Sequence, residues 1–316
     1  ALPISVQSQR SIKLDRLEQL ATALVASLKR SDELVVTALS SPAGSPLVTN
    51  LVNVAVVATK IGMGLGYYGR ELERLALAGL VHDIGLFAVP QSLVTKAERL
   101  APDERTLIEQ HPELGYEAVK RAGNDYVWLA ELVRQAHERI NGLGYPGRLK
   151  GRQISEMALI IGVSDVFDAL ISDRPYRRRI FPHEAIKELL VTERATFPRE
   201  MIKALVEQLS VYPLGTTVRL TTGETGTVVG VNVRYPLRPI VKVEEMGGVD
   251  NPESRRIDLS LTPLVGVLEA LNAPVVGRVE FSEEPSATPA VPVGDRKITR
   301  LNSSHLGISY AVFCLK

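Results

Sequence analysis

Residues 157–171, MALIIGVSDVFDALI, set the strongest limit on how this chain can fold. The segment is apolar all round, so as a helix it must be enclosed by other elements. It nevertheless carries Asp165 and Asp168, three apart and therefore on one helical face. Buried carboxylates are costly unless a cation or hydrogen-bond donors meet them. The chain thus has to build a helical core with something positive or donating at its centre. A salt bridge to Arg174 or Arg139 would answer one aspartate, but it would leave the chain's histidines unexplained.

The flanking sequence agrees with a helical core. From residue 14 to about residue 209, apolar positions recur at intervals of three and four. One helix is expected over 71–84, with Leu72, Leu75, Ala76, Leu80 and Ile84 in a stripe and Gly85 as its stop. Another begins near Pro102, with Asp103 and Glu104 in a first turn that favours acids. It is expected to end at His111, since the residue before Pro112 is disfavoured in helix. Pro112 then opens a helix that stops near Gly123. Asn124 is read as the cap of a further helix running to Arg139, with Tyr126, Ala130, Val133 and His137 on one face.

Beyond Thr216 the period drops to two, in TTVRLTT, GTVVGVNV, PIVKVEE and RRIDLS, separated by Gly, Pro and Asn. The fold class is therefore mainly α, a helical bundle with a small C-terminal β-rich module. The expected divisions are an N-terminal helical segment at 1–45, a helical domain at 46–210, the β-rich module at 211–275 and a Pro/Ala/Ser-rich linker at 276–294. Residues 295–316, DRKITRLNSSHLGISYAVFCLK, resemble a translated sequencing-library adapter and are set aside as non-native. The competing reading is a genuine last strand, since ISYAVFCL has β composition.

Charge and cysteine content narrow the function classes. The 316 residues carry 37 basic and 36 acidic side chains, so no global field recruits DNA, RNA or an anionic membrane. Without the tail the balance is 33 to 35 and the only cysteine is gone, which excludes disulfide and thiol chemistry. No uninterrupted apolar run reaches about 18 residues, so no membrane segment is expected in this fragment. A cytoplasmic setting is the expectation. The first residue is Ala1, so upstream sequence, and with it a tether or input domain, is expected to be missing.

Three of the four histidines before the tail stand in loaded contexts. His82 and Asp83 are adjacent at the end of LALAGLVHDIG, His111 lies at a Pro-broken junction, and His137 precedes Glu138 and the turn NGLGYPG. Singly, each has a plain alternative as a packed, capping or surface histidine. Together with Asp83 and Asp165 they suit a divalent cation held by imidazole nitrogens and carboxylate oxygens. Downstream, DRPYRRR at 173–179 places four arginines together. In isolation this reads as a solvated face; beside a metal, guanidinium forks suit phosphate oxygens. Metal with arginines points to phosphoester hydrolysis. Two G-x-G-x-x-G matches, GLGYYG at 64–69 and GLGYPG at 142–147, lack the βαβ context that dinucleotide binding requires, although NVAVVATKI before the first looks β-prone.

In their order, HDIG at 82–85, HPELGYE at 111–117, HERINGLGYPG at 137–147 and DVFDALISDRPYR at 165–177 resemble the HD-GYP family of metal-dependent phosphohydrolases. The resemblance covers roughly half the chain and implies an HD-type helical bundle that hydrolyses the bacterial messenger cyclic di-GMP. It implies one or two divalent ions (iron, manganese or nickel) on His82, Asp83, His111, His137 and Asp165. Asp83 would bridge them, and His82 with Asp83 would form the catalytic pair. It also implies that Gly144, Tyr145 and Pro146, with Arg174 and Arg177, meet the substrate.

The departures from the family are equally specific. A family histidine falls on Asn50, which offers a weak oxygen ligand instead; another falls on Ala136, a lysine on Leu86, and an acidic ligand of some members on Pro46. One metal position would keep His82, Asp83 and Asp165, and the other Asp83, His111 and His137. An alternative therefore stays open, a domain that reads cyclic di-GMP without cutting it or that engages a signalling protein. The β-rich module could serve a homodimer.

Overall fold

The computed structural model describes residues 12–31, 45–96, 98–172, 180–192, 195–209, 214–232, 238–243 and 255–272, with Leu34, Val35, Ala38, Tyr212 and Tyr235. Arg174, Arg177, the linker and the tail lie outside the described residues.

Helix α1 (Leu14–Leu28) packs on α3 (Arg70–Val81). The central helix α2 (Pro46–Gly64) starts with Pro at its first position, where the missing N–H costs nothing. It lies against α3, α8 (Glu156–Ile171) and α10 (Arg199–Gln208). The approach of α3 to α2 is close enough that a Cβ on Gly79 would fall 2.6 Å from the Ala55 Cα. By length and hydropathy α2 passes for a membrane span, yet 72% of that stretch is buried inside the protein, as in a core helix. The β-prone NVAVVATKI is part of α2, because packing on three helices overrides its local preference.

The helix boundaries differ from the sequence reading at three places that matter. First, α3 stops at Val81, so His82 and Asp83 sit in a turn before a 3-10 helix, Ile84–Ala88. Gly85 is a contact point and not a helix stop; a Cβ there would collide with the His111 carbonyl oxygen.

Second, after the short α4 (Gln91–Val94), α5 (Pro102–Ile108) ends early, and His111 opens α6 (His111–Lys120). Pro112 fits inside that first turn, so the penalty on its predecessor does not close a helix there. Third, Asn124 caps nothing. It starts a 3-10 turn, Asn124–Tyr126, and α7 (Val127–Gln135) ends before His137, which stands past the helix.

Helix α9 (Pro182–Thr192) packs on α8. The C-terminal module is an antiparallel sheet of β1 (Thr217–Leu220), β2 (Thr225–Gly230), β3 (Ile240–Val243), β4 (Arg255–Asp258) and β5 (Val267–Asn272), in the order β4-β3-β2-β1-β5. Val218, Leu220, Val228, Val241 and Val243 face its core, as alternation requires. The last strand, VLEALN, was not among the expected ones. Leu, Glu and Ala favour helix, and pairing with β1 overrides them.

Candidate metal centre

Four separate elements bring the five expected side chains to one place. His82 and Asp83 come from the turn after α3, His111 from the start of α6, His137 from the residue pair after α7, and Asp165 from the middle of α8. Asp83 Oδ1 lies 2.8 Å from His137 Nε2, 3.1 Å from His111 Nε2 and 3.5 Å from His82 Nε2. His82 Nε2 is also 3.8 Å from Asp165 Oδ1. Two trios result, Asp83–His111–His137 and His82–Asp83–Asp165, each with ligand atoms within 4.8 Å of one another and with Asp83 in common.

The ring protons are already committed elsewhere. His82 Nδ1 donates to the Gly79 carbonyl at 2.8 Å, and His111 Nδ1 to the Ile108 carbonyl at 2.8 Å. In its neutral form each of these rings turns an Nε2 lone pair toward the carboxylates, as a cation ligand does. Between His111 and His137 the two Nε2 atoms are only 2.9 Å apart, beside Asp83 Oδ1. Such a convergence of acceptors is what a cation satisfies. Among the described residues, His82 Nε2 is fully buried with no hydrogen-bond partner. An orphaned nitrogen aimed at two carboxylates fits a ligand to a divalent ion. The cluster is thus able to hold a metal.

Electrostatics agrees. Burial works against a charged His82, but Asp83 and Asp165 outweigh it and push its pKa up to about 9. Burial works against a charged Asp83 too, yet His82, His111 and His137 hold it well below the usual carboxylate range. Asp165 is drawn to about 2 by the neighbouring His82 imidazole, 3.8 Å away, against burial and the like charge of Asp83. His137 is pushed down by burial, which exceeds the pull of Asp83. Without a cation, the cluster keeps two carboxylates ionised and a proton on His82.

The buried Asp168 is met by amides. Asn50 Nδ2 donates to Asp168 Oδ2 at 2.7 Å and to Asp165 Oδ1 at 3.2 Å, and Asn53 Nδ2 donates to Asp168 Oδ1 at 2.8 Å. Asn50 therefore turns its nitrogen to the cluster; flipped, its oxygen would face two carboxylates. That geometry speaks against an oxygen ligand at this position. Asn53 was missed in the sequence, although its signal was there: two asparagines three apart on an apolar helix mirror Asp165 and Asp168 on another.

On the other side, the Tyr145 ring lies parallel to His137, with centroids 5.0 Å apart and planes at 4°, and edge-on to His111 at 6.1 Å. Burial and then Asp83 and Asp165 raise the Tyr145 phenol above its ordinary pKa. Gly144 has no room for a side chain: a Cβ would sit 2.5 Å from the Arg139 nitrogen. Pro146 follows a cis peptide bond. Ala136, buried behind His137, offers no ligand atom.

The model of the HD domain family matches residues 16–197, more than half of the chain. The chain belongs to the HD domain family. This HD domain is 35% identical, over 62% of the chain and 47% of the relative, to a cyclic di-GMP phosphodiesterase of Pseudomonas aeruginosa. It is 33% identical, over 49% of the chain and 42% of the relative, to a cyclic di-GMP phosphodiesterase response regulator of Xanthomonas campestris. The chain thus spans about half the length of these curated relatives. Among solved structures, an HDGYP protein of Bdellovibrio bacteriovorus shares the fold, with a TM-score of 0.51 at 20% identity over 61% of this chain and 63% of that one.

Proposed function

We propose that this HD domain is a metal-dependent phosphodiesterase that hydrolyses cyclic di-GMP in bacterial signalling. The observation that carries the reading is the pair of trios meeting at Asp83. His82, Asp83 and Asp165 would hold one divalent ion, and Asp83, His111 and His137 a second; iron, manganese and nickel all suit this donor set. When bound, such ions supply an activated water and neutralise the charge that builds on the phosphoryl oxygens.

The chain's own residues do the rest. Asp83 fixes the two positions relative to each other, and Asn50 and Asn53 keep the α8 carboxylates in place. Burial excludes bulk water, Asp165 being the most exposed of the five at 17% of its side chain. Tyr145, set by Gly144 and Pro146, offers a flat apolar surface beside the ions, suited to a guanine base. Arg174 and Arg177 are assigned to the phosphates. The names of the two relatives support cyclic di-GMP as substrate, and a cytoplasmic site of action goes with that messenger.

The test is incubation of the chain with cyclic di-GMP under reducing, oxygen-free conditions with ferrous iron, manganese or nickel, following linear dinucleotide and GMP by chromatography. Metal-dependent product, lost in Asp83→Ala, is the expected result. Tight nucleotide binding without product under every metal would replace the enzyme reading with a receptor.

A further inference from the structure

Glu138 follows His137 and is 1% exposed. Its carboxylate reaches across to the loop that carries Tyr145. Oε1 accepts the Gly147 N–H at 2.6 Å and Oε2 the Leu149 N–H at 2.9 Å. Hydrogen bonds to an ionised acceptor are roughly twice as strong as neutral ones.

The same loop returns to residues 137–141 at several points. Tyr145 N–H donates to the His137 carbonyl at 3.2 Å, and Gly151 N–H to the Ile140 carbonyl at 3.0 Å. Asn141 and Lys150 form a bridge at its base. Gly144 lies so close that a Cβ would be 2.5 Å from the Glu138 Cα. The tip is open, with Leu143 83% exposed. Water could solvate the two amides of such a surface loop in many geometries; a buried carboxylate selects one. In that geometry the Tyr145 ring lies flat on His137.

We propose that Glu138 is a positioning residue: by gripping the Gly147 and Leu149 amides it holds Tyr145 over His137 and so sets the affinity for the ligand that meets Tyr145. Its carboxylate bonds to the loop amides, not to the side chains of either trio, among the described hydrogen bonds. The grip stands on geometry alone, while its effect on cyclic di-GMP rests on the phosphodiesterase reading.

Glu138→Gln in the full chain keeps the volume but can accept only one of the two amides. Hydrogen–deuterium exchange read by mass spectrometry should speed up about tenfold in peptides covering 142–150 and stay unchanged in α6 and α7. The KM for cyclic di-GMP should rise about fivefold with kcat within about twofold. In a Tyr145→Ala background, Glu138→Gln should change KM no further.

Unchanged loop exchange, or equal acceleration through α6, α7 and α8, would overturn the grip. A KM effect that persists without Tyr145 would overturn its route. Should the wild-type chain turn over no cyclic di-GMP, the phosphodiesterase reading falls, while the exchange comparison still decides the grip.

Discussion

The two halves of the cluster share Asp83 but are built differently. His82, in the turn after α3, faces Asp165 on α8, and the Asn50 amide of α2 supports the Asp165 carboxylate. His111 and His137 sit under Tyr145, and their side chains are only 3% and 7% exposed, against 17% for Asp165. One half is a charged pair whose carboxylate is steadied by the buried Asn50 amide and is partly exposed. The other is an imidazole pair roofed by an aromatic ring. The contrast teaches that convergence of ligands is a property of the bundle, whereas access is set by what the loops place on top.

Replacing the shared residue should erase the distinction. Asp83→Ala is expected to remove both ions and lower turnover by about a thousandfold or more, read by metal analysis and product assay. Breaking only the open half is the sharper cut. Asp165→Asn should lower metal content from two ions to one, with about a hundredfold loss of turnover. Equal loss of both ions would mean that the halves are not separable.

Proton linkage addresses the His82 side. An ion there must displace the proton that His82 keeps up to about pH 9, so manganese affinity should climb about tenfold per pH unit below that value. Calorimetry in buffers of different ionisation heat should count about one proton released at that position.

The same shifts bear on the cation-free fold. His82 is raised from 6.5, so its contribution is full below about pH 6.5 and lost as pH rises through about 9. Asp165 is lowered from 3.8, so its contribution is present above about pH 4 and lost as pH falls toward 2. Denaturant midpoints measured against pH would check both limbs. The smallest effect on activity should come from Asn53→Ala, which touches Asp168 alone: about 1–3 kcal/mol of stability lost in denaturant titration, with metal content kept.

The candidate cluster was legible because its signal is chemical. Histidines and carboxylates inside apolar helical stretches have few ways to be satisfied, so residue type and burial pattern already pointed to one place. Helix ends were less legible. His111 was read as a terminus because Pro112 follows, and only the three-dimensional turn reveals that the proline opens α6. Strand β5 was hidden because VLEALN carries helix formers whose state is decided by a partner strand about fifty residues away in sequence. Asn53 and Glu138 escaped notice for another reason. Their partners are, respectively, a carboxylate on a distant helix and the backbone of a loop: the three-residue spacing of Asn50 and Asn53 gains meaning only once α2 is paired with α8, and no spacing announces the loop amides.

The central claim is that two cations meet at Asp83. It is tested most directly by anomalous diffraction from crystals of the chain grown with manganese. The account predicts two peaks, each within about 2.0–2.3 Å of an Asp83 oxygen, one completed by His82 and Asp165 and the other by His111 and His137. Peaks that avoid Asp83, or none in this cluster, would contradict it.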